Sequence, residues 1–422
     1  MKLKVLLIGC CVVWGALSFS ERSFADNLER EIVELKQKIS VLEEKLSQKE
    51  KEDSARKELY EELNEIKEIF KGISVGGGAT FVIQGTHNAN GNDLSKNGED
   101  TTDAAFSLDL EIEKNFSEKD RIYLHFEAGN GEGVTDELQV FSNVNADVTE
   151  DENFDLIEVW YEHNFMSIPL TLTFGKIDST AYIDNNEYAN DETTQFLGDI
   201  FKNSPTIEFP DNGPGIRFNL EPFKSLGIEF LMMDADSDWK AIFDNMFLGC
   251  EFNFKLNIFE RPGNYRIYGW LNDVHHIKWN NPSKTKERNY GFGLSFDQEL
   301  TEALGIFLRY GWQNPKVYAD GSDFSLEQSW STGVQLAGSL WGRNEDIFAI
   351  AFGQIFPSGD YKEANNFKAK SEKHLEVYYN FKVNNYLALT PDLQVIWDPY
   401  GGDAANGDKT IFIGGLRIQV NF

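Results

Sequence analysis

The sequence predicts an all-β transmembrane barrel of about 16 antiparallel strands, preceded by an N-terminal α-helical coiled coil. Three observations point there. From residue 73 onward, short segments alternate apolar and polar side chains with period two. Each runs to about ten residues, the length a tilted strand needs to cross a bilayer. The 422-residue chain also combines a formal net charge of -30 with 41% hydrophobic and 14% aromatic residues. That apolar content is too large for an acidic disordered chain. The mean hydropathy is too low for a bundle of membrane helices, and past residue 25 no run of about 18 apolar residues exists. The charge repels a polyphosphate, so no nucleic-acid partner is expected.

The elements follow in chain order. Lys2 and Lys4 precede an apolar stretch from Val5 to Phe19, and Ser23-Phe24-Ala25 supplies a small-x-small site. Residues 1–25 therefore read as a secretory signal cleaved after Ala25. Leu7-Ile8-Gly9-Cys10 has the form of a lipoprotein box. The apolar core before Cys10 is about five residues, short of the usual 7–15. Cleavage after Ala25 leaves Cys250 alone, so no intramolecular disulfide is expected.

Residues 26–71 contain no proline, and their apolar residues Leu28, Ile32, Leu35, Ile39, Leu42 and Leu46 alternate spacings of four and three. This is a heptad seam flanked by charge, expected to self-associate as a periplasmic coiled coil or to contact the cell wall. A packed amphipathic helix is the alternative. Lys49 to Lys57 interrupts the seam, which resumes in a shifted frame at Leu59, Leu63, Ile66 and Phe70. β-Branched residues at one seam position with Leu at the other lean towards two strands.

Gly72 to Gly78 marks the boundary to the barrel, 72–422. In 105–113, Phe106, Leu108, Leu110 and Ile112 alternate with Ser107, Asp109, Glu111 and Glu113. In 248–255, Leu248, Cys250, Phe252 and Phe254 alternate with Gly249, Glu251, Asn253 and Lys255. Segments of this kind recur about sixteen times, an even count. A β-sandwich shares the period, but Tyr161, Phe165, Tyr290, Tyr310 and Trp312 near segment ends suit interfacial girdles. The last segment alternates from Phe412 to Phe422 and stops on that aromatic. It is similar to the signal read by the bacterial outer-membrane assembly machinery.

Of the net charge, about +2 sits in 1–25 and -4 in 26–71, from 14 acids and 10 bases, leaving -28 in 72–422. Charge of that size cannot face outer-membrane lipid, so it lines a lumen and loops, as in a water-filled channel.

At this point the residues resemble a family. Leu172-Thr173-Phe174-Gly175-Lys176-Ile177-Asp178, then Tyr182 through Glu192 and Gln195-Phe196-Leu197, are similar to the central segment of carbohydrate-selective porins of the OprB type. The likeness continues at Leu294 through Gln298, Gly305 through Trp312, Leu340-Trp341-Gly342-Arg343 and Leu387 through Pro399. No single block is specific; their order and spacing carry the match over most of 105–422. The resemblance implies a sixteen-stranded outer-membrane barrel that passes sugars and similar small hydrophilic solutes by passive diffusion. The coil lies outside it.

A sugar presents hydroxyls and an apolar ring face, so a selective pore needs aromatic surfaces beside charged donors and acceptors. The loop 178–214 is long and follows a strand. It carries Asp178, Asp184, Asn185, Asn186, Asn190, Asp191 and Glu192, and is the candidate constriction, an ordinary outer loop being the alternative. Alternation turns Arg309 inward, where it is expected to meet an acidic loop residue and present a fixed donor–acceptor pair. Arg217 and Arg343 are candidates of the same sort. Trp160 and Trp270 fall on the inward phase and are the stacking candidates. The acidic excess also fits a cation-preferring porin, and a structural envelope tether acting through the coil is the reading from another class.

No enzymatic reading finds support. His87, His125, His163, His275, His276 and His374 form no HExxH or Cys/His cluster, and no GxSxG or P-loop occurs. No cofactor and no metal centre is expected, although acidic loops could hold a divalent cation weakly through oxygen.

Overall fold

The computed structural model describes residues 70–91, 98–147, 153–258, 260–404 and 407–422, together with Lys38 and Lys67. The export signal lies outside the described residues, as does nearly all of the coil. The chain divides into two compact units, Met1–Lys71 with Phe422, and Gly72–Asn421. The second unit is the barrel.

Its strands are β1 Ile73–His87, β2 Thr102–Asn115, β3 Asp120–Asn130, β4 Asp155–Phe165, β5 Leu170–Ile177, β6 Gly213–Phe223, β7 Leu226–Asp234, β8 Met246–Ile258 and β9 Arg261–Lys278. They continue as β10 Glu287–Thr301, β11 Leu304–Gln313, β12 Val317–Ala319, β13 Leu326–Ala337, β14 Ile347–Pro357, β15 Glu372–Lys382, β16 Leu387–Trp397 and β17 Ile411–Asn421. Sixteen of them form one antiparallel ring. Each spanning strand pairs with the next in the chain, and β17 closes on β1 from Asn421↔Gly78 to Phe412↔His87. The exception is β12, three residues that pair with the end of β9, while β11 pairs directly with β13. Closure leaves no edge, the condition for strands in hydrocarbon, where an unpaired N–H has no water to turn to.

Period two fixes which side chains face out, because a one-residue slip would turn every apolar residue inward. Phe81, Phe106, Phe174, Phe230, Phe252, Phe292, Leu308 and Phe412 share the outer phase and are exposed. An apolar belt of this extent suits lipid and not water. Tyr290 and Phe292 of β10 lie against Trp312 of β11, with ring centroids 6.1 and 5.5 Å away. Among the described residues no helix is long and apolar enough to cross a membrane; the strands do so instead.

Short turns such as 116–119, 166–169 and 224–225 lie at the end that carries Gly72 and Asn421, and the longer loops lie at the other end. The longest, 178–212, contains a single helical turn, α1 (Asp199–Lys202), and another loop contains α2 (Gly359–Asn365).

Candidate functional site

The loop 178–212 turns back into the barrel, and the inner wall is shaped to receive it. On β11 the inward positions are 305, 307, 309 and 311. A Cβ at Gly305 would come within 2.1 Å of the Tyr188 ring, and one at Gly311 within 2.0 Å of Thr206 Oγ1. Glycine is thus used where loop and strand backbone approach closely. Phe307, between them, packs with Phe196 and Phe201 of the loop and with Tyr378 of β15.

A loop inside a pore carries backbone N–H groups that need partners, and inward carboxylates supply them. Glu376 accepts from Leu197 N at 2.6 Å and Gly198 N at 2.9 Å. Glu251 accepts from Asp184 N at 2.8 Å. A second loop segment, 131–147, is held the same way, with Phe141 N donating to Glu372 at 2.9 Å. The two loops join where Ala146 N donates to Leu197 O at 2.7 Å and Asp199 N to Asn143 O at 3.1 Å.

Asp184 and Arg309 do meet, at 3.1 Å, as alternation led us to expect. The expectation that the pair opens onto the lumen is corrected. Arg309 is 1% exposed and Asp184 0%. The guanidinium is spent on the loop itself, donating to Asp184 O at 2.9 Å, to Asn190 Oδ1 at 3.3 Å and to Phe201 O. Asp184 Oδ2 also accepts from Ser204 N at 2.7 Å. Burial pushes the Asp184 carboxyl up from the ordinary range and the Arg309 charge opposes this.

Most of the other loop candidates are turned onto the loop as well. Asp178 accepts from Thr180 N and Oγ1, both at 2.8 Å, and Asp191 accepts from Thr193 N at 2.8 Å. Asn185 donates to Ala181 O and accepts from Asn190 Nδ2. Asn186 is buried and donates to Ser295 Oγ and Phe296 O on β10. Glu192 pairs with Lys202 at 2.6 Å, and its carbonyl accepts from Arg417 of β17. Trp160 and Trp270 point inward but are 8% and 4% exposed, packed with Ile177, Ile183 and Ile207, so neither ring is free to stack on a solute. Arg343 lies in the turn after β13, paired with Asp346 and set over Phe381 at 4.1 Å, away from the loop. The reason is positional: that turn belongs to the end carrying Gly72 and Asn421.

The charges that the loop leaves uncovered lie on the arc β2 to β7, and most of them were not singled out in the sequence. Arg121 bridges Glu162 at 2.8 Å and Glu113 at 3.2 Å. Arg217 forks onto both oxygens of Glu229, at 2.8 and 2.9 Å, and reaches Glu162 at 3.4 Å. Aromatics sit among these charges. Tyr123 stacks on Trp160 with ring centroids 4.9 Å apart, and Arg121 lies over the same indole at 5.0 Å. Tyr182, from the loop, receives Arg217 over its ring at 4.5 Å. The result is a strip in which half-buried Tyr123 and Tyr182 stand beside the forked Arg217–Glu229 pair and the Arg121 bridge between Glu113 and Glu162. The signal that could have found it was the inward phase of β3, β6 and β7 read together with the length of the loop, which had to cover some part of the wall.

A closed sixteen-stranded barrel with an apolar exterior, a charged interior and a loop folded into its lumen defines an outer-membrane porin. The chain belongs to the family of carbohydrate-selective porins called OprB, whose family model matches residues 96–422. Its fold is similar to that of Pseudomonas putida OprB in its high-pH structure, with a TM-score of 0.70 at 15% identity, covering 85% of this chain and 96% of that one. The outer membrane channel DcaP of Acinetobacter baumannii is similar with a TM-score of 0.52 at 11% identity, covering 83% and 97%. An uncharacterized protein of Aquifex aeolicus (strain VF5) is 27% identical over 228 residues, which is 53% of this chain. The matched part spans 58% of that relative's length.

Proposed function

We propose that the protein passes neutral sugars and similar small hydrophilic solutes by passive diffusion along the β2–β7 arc. The observation that carries this reading is the strip formed by Tyr123, Tyr182, Arg121, Arg217, Glu162 and Glu229. Half-buried tyrosine rings offer a surface to the apolar face of a sugar, and the forked pairs offer donors and acceptors at fixed spacing to its hydroxyls. Loop 178–212 narrows the passage, and Asp178, Asp184, Asn185, Asn186, Asn190, Asp191 and Glu192 act chiefly by holding the loop's shape. Arg309 is its anchor. The export signal delivers the chain, Phe422 engages the assembly machinery, and the coil 26–71 lies in the periplasm as an oligomerising or tethering segment.

A second reading has an observation of its own. The inward phase of the open arc carries Asp109, Glu111, Glu113, Glu127, Glu158, Glu162 and Glu229 against Arg121 and Arg217. That excess favours cations over anions. Single-channel conductance of the purified protein in a planar bilayer separates the two. Sugar added at millimolar concentration should reduce the current or cross in a liposome-swelling assay. A channel that conducts ions with cation preference and neither admits nor is blocked by sugars would leave only the second reading. Deleting 26–71 should alter envelope attachment while leaving conductance unchanged.

A further inference from the structure

The loop between β7 and β8 holds a second cluster of charge, away from the passage. Asp234 ends β7, and Asp236 and Asp238 follow at alternate positions in the loop. One carboxylate oxygen from each lies within 4.8 Å of the other two. Three like charges at that spacing repel one another unless a cation sits among them.

The cluster alone would be ordinary for an acidic loop. Asp234 makes it otherwise. Its side chain is 1% exposed, and neither of its carboxylate oxygens has a hydrogen-bond partner. A buried carboxylate is normally paired or bound to a metal, since desolvating it unpaired is costly. Among the described residues no Lys or Arg lies within ion-pair distance of it. Lys240 lies near Asp238 instead, at 3.6 Å, with its ammonium in solvent.

The surrounding atoms hold the three carboxylates in place. Ser237 Oγ donates to Asp211 O at 2.7 Å, tying the loop to the segment before β6. Asn245 Nδ2 donates to one oxygen of Asp236 at 2.7 Å, and Lys240 N to one oxygen of Asp238 at 2.7 Å. Asp236 keeps its second oxygen for a ligand, and the second oxygen of Asp238 has only the exposed Lys240 ammonium near it, at 3.6 Å. Ser237, Trp239 and Ala241 all have left-handed backbone, which curls the segment around the carboxylates.

We propose that Asp234, Asp236 and Asp238 form a Ca²⁺ site at the long-loop rim of the barrel. Oxygen-only ligands on alternate residues of a curled loop suit a large hard cation with flexible coordination, completed by water and by loop carbonyls. Mg²⁺, which demands near-ideal octahedral geometry and gives up water reluctantly, fits this irregular set less well. Affinity on the order of 10⁻⁴–10⁻³ M, typical of extracellular calcium modules, is expected. The site is independent of which solute the pore passes.

The test uses the full chain folded in detergent micelles and Tb³⁺ as a luminescent probe, with Trp239 next to Asp238 as the sensitiser. Emission should saturate at one ion per chain and be displaced by Ca²⁺ at lower concentration than by Mg²⁺. Asp234→Asn should weaken Ca²⁺ at least about tenfold, while Asp360→Asn on a different loop should leave it unchanged. Asp236→Asn, on an exposed residue, serves as the second variant should Asp234→Asn disturb folding, which heat-dependent gel mobility reports. Absent saturable emission, or emission and Ca²⁺ displacement unaltered by Asp236→Asn, would overturn the proposal.

Discussion

The two halves of the barrel's inner wall are built from the same kinds of residue and are used in opposite ways. From β8 to β17 the inward charges that meet a loop are buried. Glu251, Glu372, Glu376, Arg309 and Arg417 are all below 4% exposed, each committed to a loop. From β2 to β7 the inward charges pair with one another instead and keep more contact with solvent, from 13% exposure for the Glu162 side chain to 38% for Arg121. Sequence alternation is the same in both, so what distinguishes them is the loop, which takes up the charges of one arc and on the other packs chiefly against apolar side chains such as Trp160 and Leu231. A charge in the first arc acts on architecture, and the same charge in the second acts on solute.

The sharpest way to break this comparison is to detach the loop. Arg309→Ala leaves Asp184 buried and uncompensated, a local cost of about 3–5 kcal/mol. The loop should leave the lumen, raising single-channel conductance severalfold. Gly311→Val should do the same by steric expulsion, since its Cβ position is already taken by Thr206 and Ser204. Replacing the pair with apolar residues, Arg309→Met with Asp184→Leu, should restore most of the wild-type conductance, because a buried ion pair can be exchanged for packing at little net cost. Unchanged conductance in Arg309→Ala would show that the carboxylate and glycine contacts hold the loop unaided.

The next effect is confined to the open arc. Tyr182→Ala and Arg217→Ala should weaken sugar block by roughly three- to tenfold, the range set by losing one ring contact or one charged hydrogen bond. Conductance without sugar should change little. A conductance jump as large as that of Arg309→Ala would mean that Arg217 is a loop anchor too, and the contrast between the arcs would fail.

How far the sequence reveals this division depends on what alternation encodes. Period two separates lumen from lipid, and it located the strands because a half-wet strand cannot hide its pattern. It carries no information on depth. Arg309 and Arg217 share the inward phase, yet one lies beneath a loop and the other beside it. Trp160 and Trp270 read as inward and are inward, but their burial depends on Ile183 and Ile207, which arrive from a loop with no periodic signal of its own. Gly305 and Gly311 are the exception: glycine on the inward phase of a strand already marks a close approach, and in retrospect it names the strand on which the loop docks.

A smaller effect concerns charge. Glu162→Gln together with Glu229→Gln removes two carboxylates from the β2–β7 arc and should move the reversal potential in a salt gradient by a few millivolts towards anions, the effect being modest because Arg217 already offsets part of their charge. Glu376→Gln on the covered arc should leave the reversal potential where it is. Equal shifts from both arcs would mean that ions sense the buried wall as well.

The smallest effect comes from pH acting on the covering loops. Burial raises the Asp199 carboxyl to about 7 against the pull of Lys202, and raises Asp147 to about 7 although the Ser107 hydroxyl opposes it. Both acids bind their proton more tightly in the folded loop than in an unfolded one. The stability they lend is therefore present below about pH 4 and is lost as pH climbs to about 7. Loop departures from the lumen, seen as brief steps to higher conductance, should grow more frequent between pH 5 and 8, by less than about threefold once charge screening and relaxation are allowed for. Asp199→Asn with Asp147→Asn should flatten that dependence without altering the sugar block set by the other arc. A pH response that survives both substitutions would place its origin among the open-arc carboxylates instead.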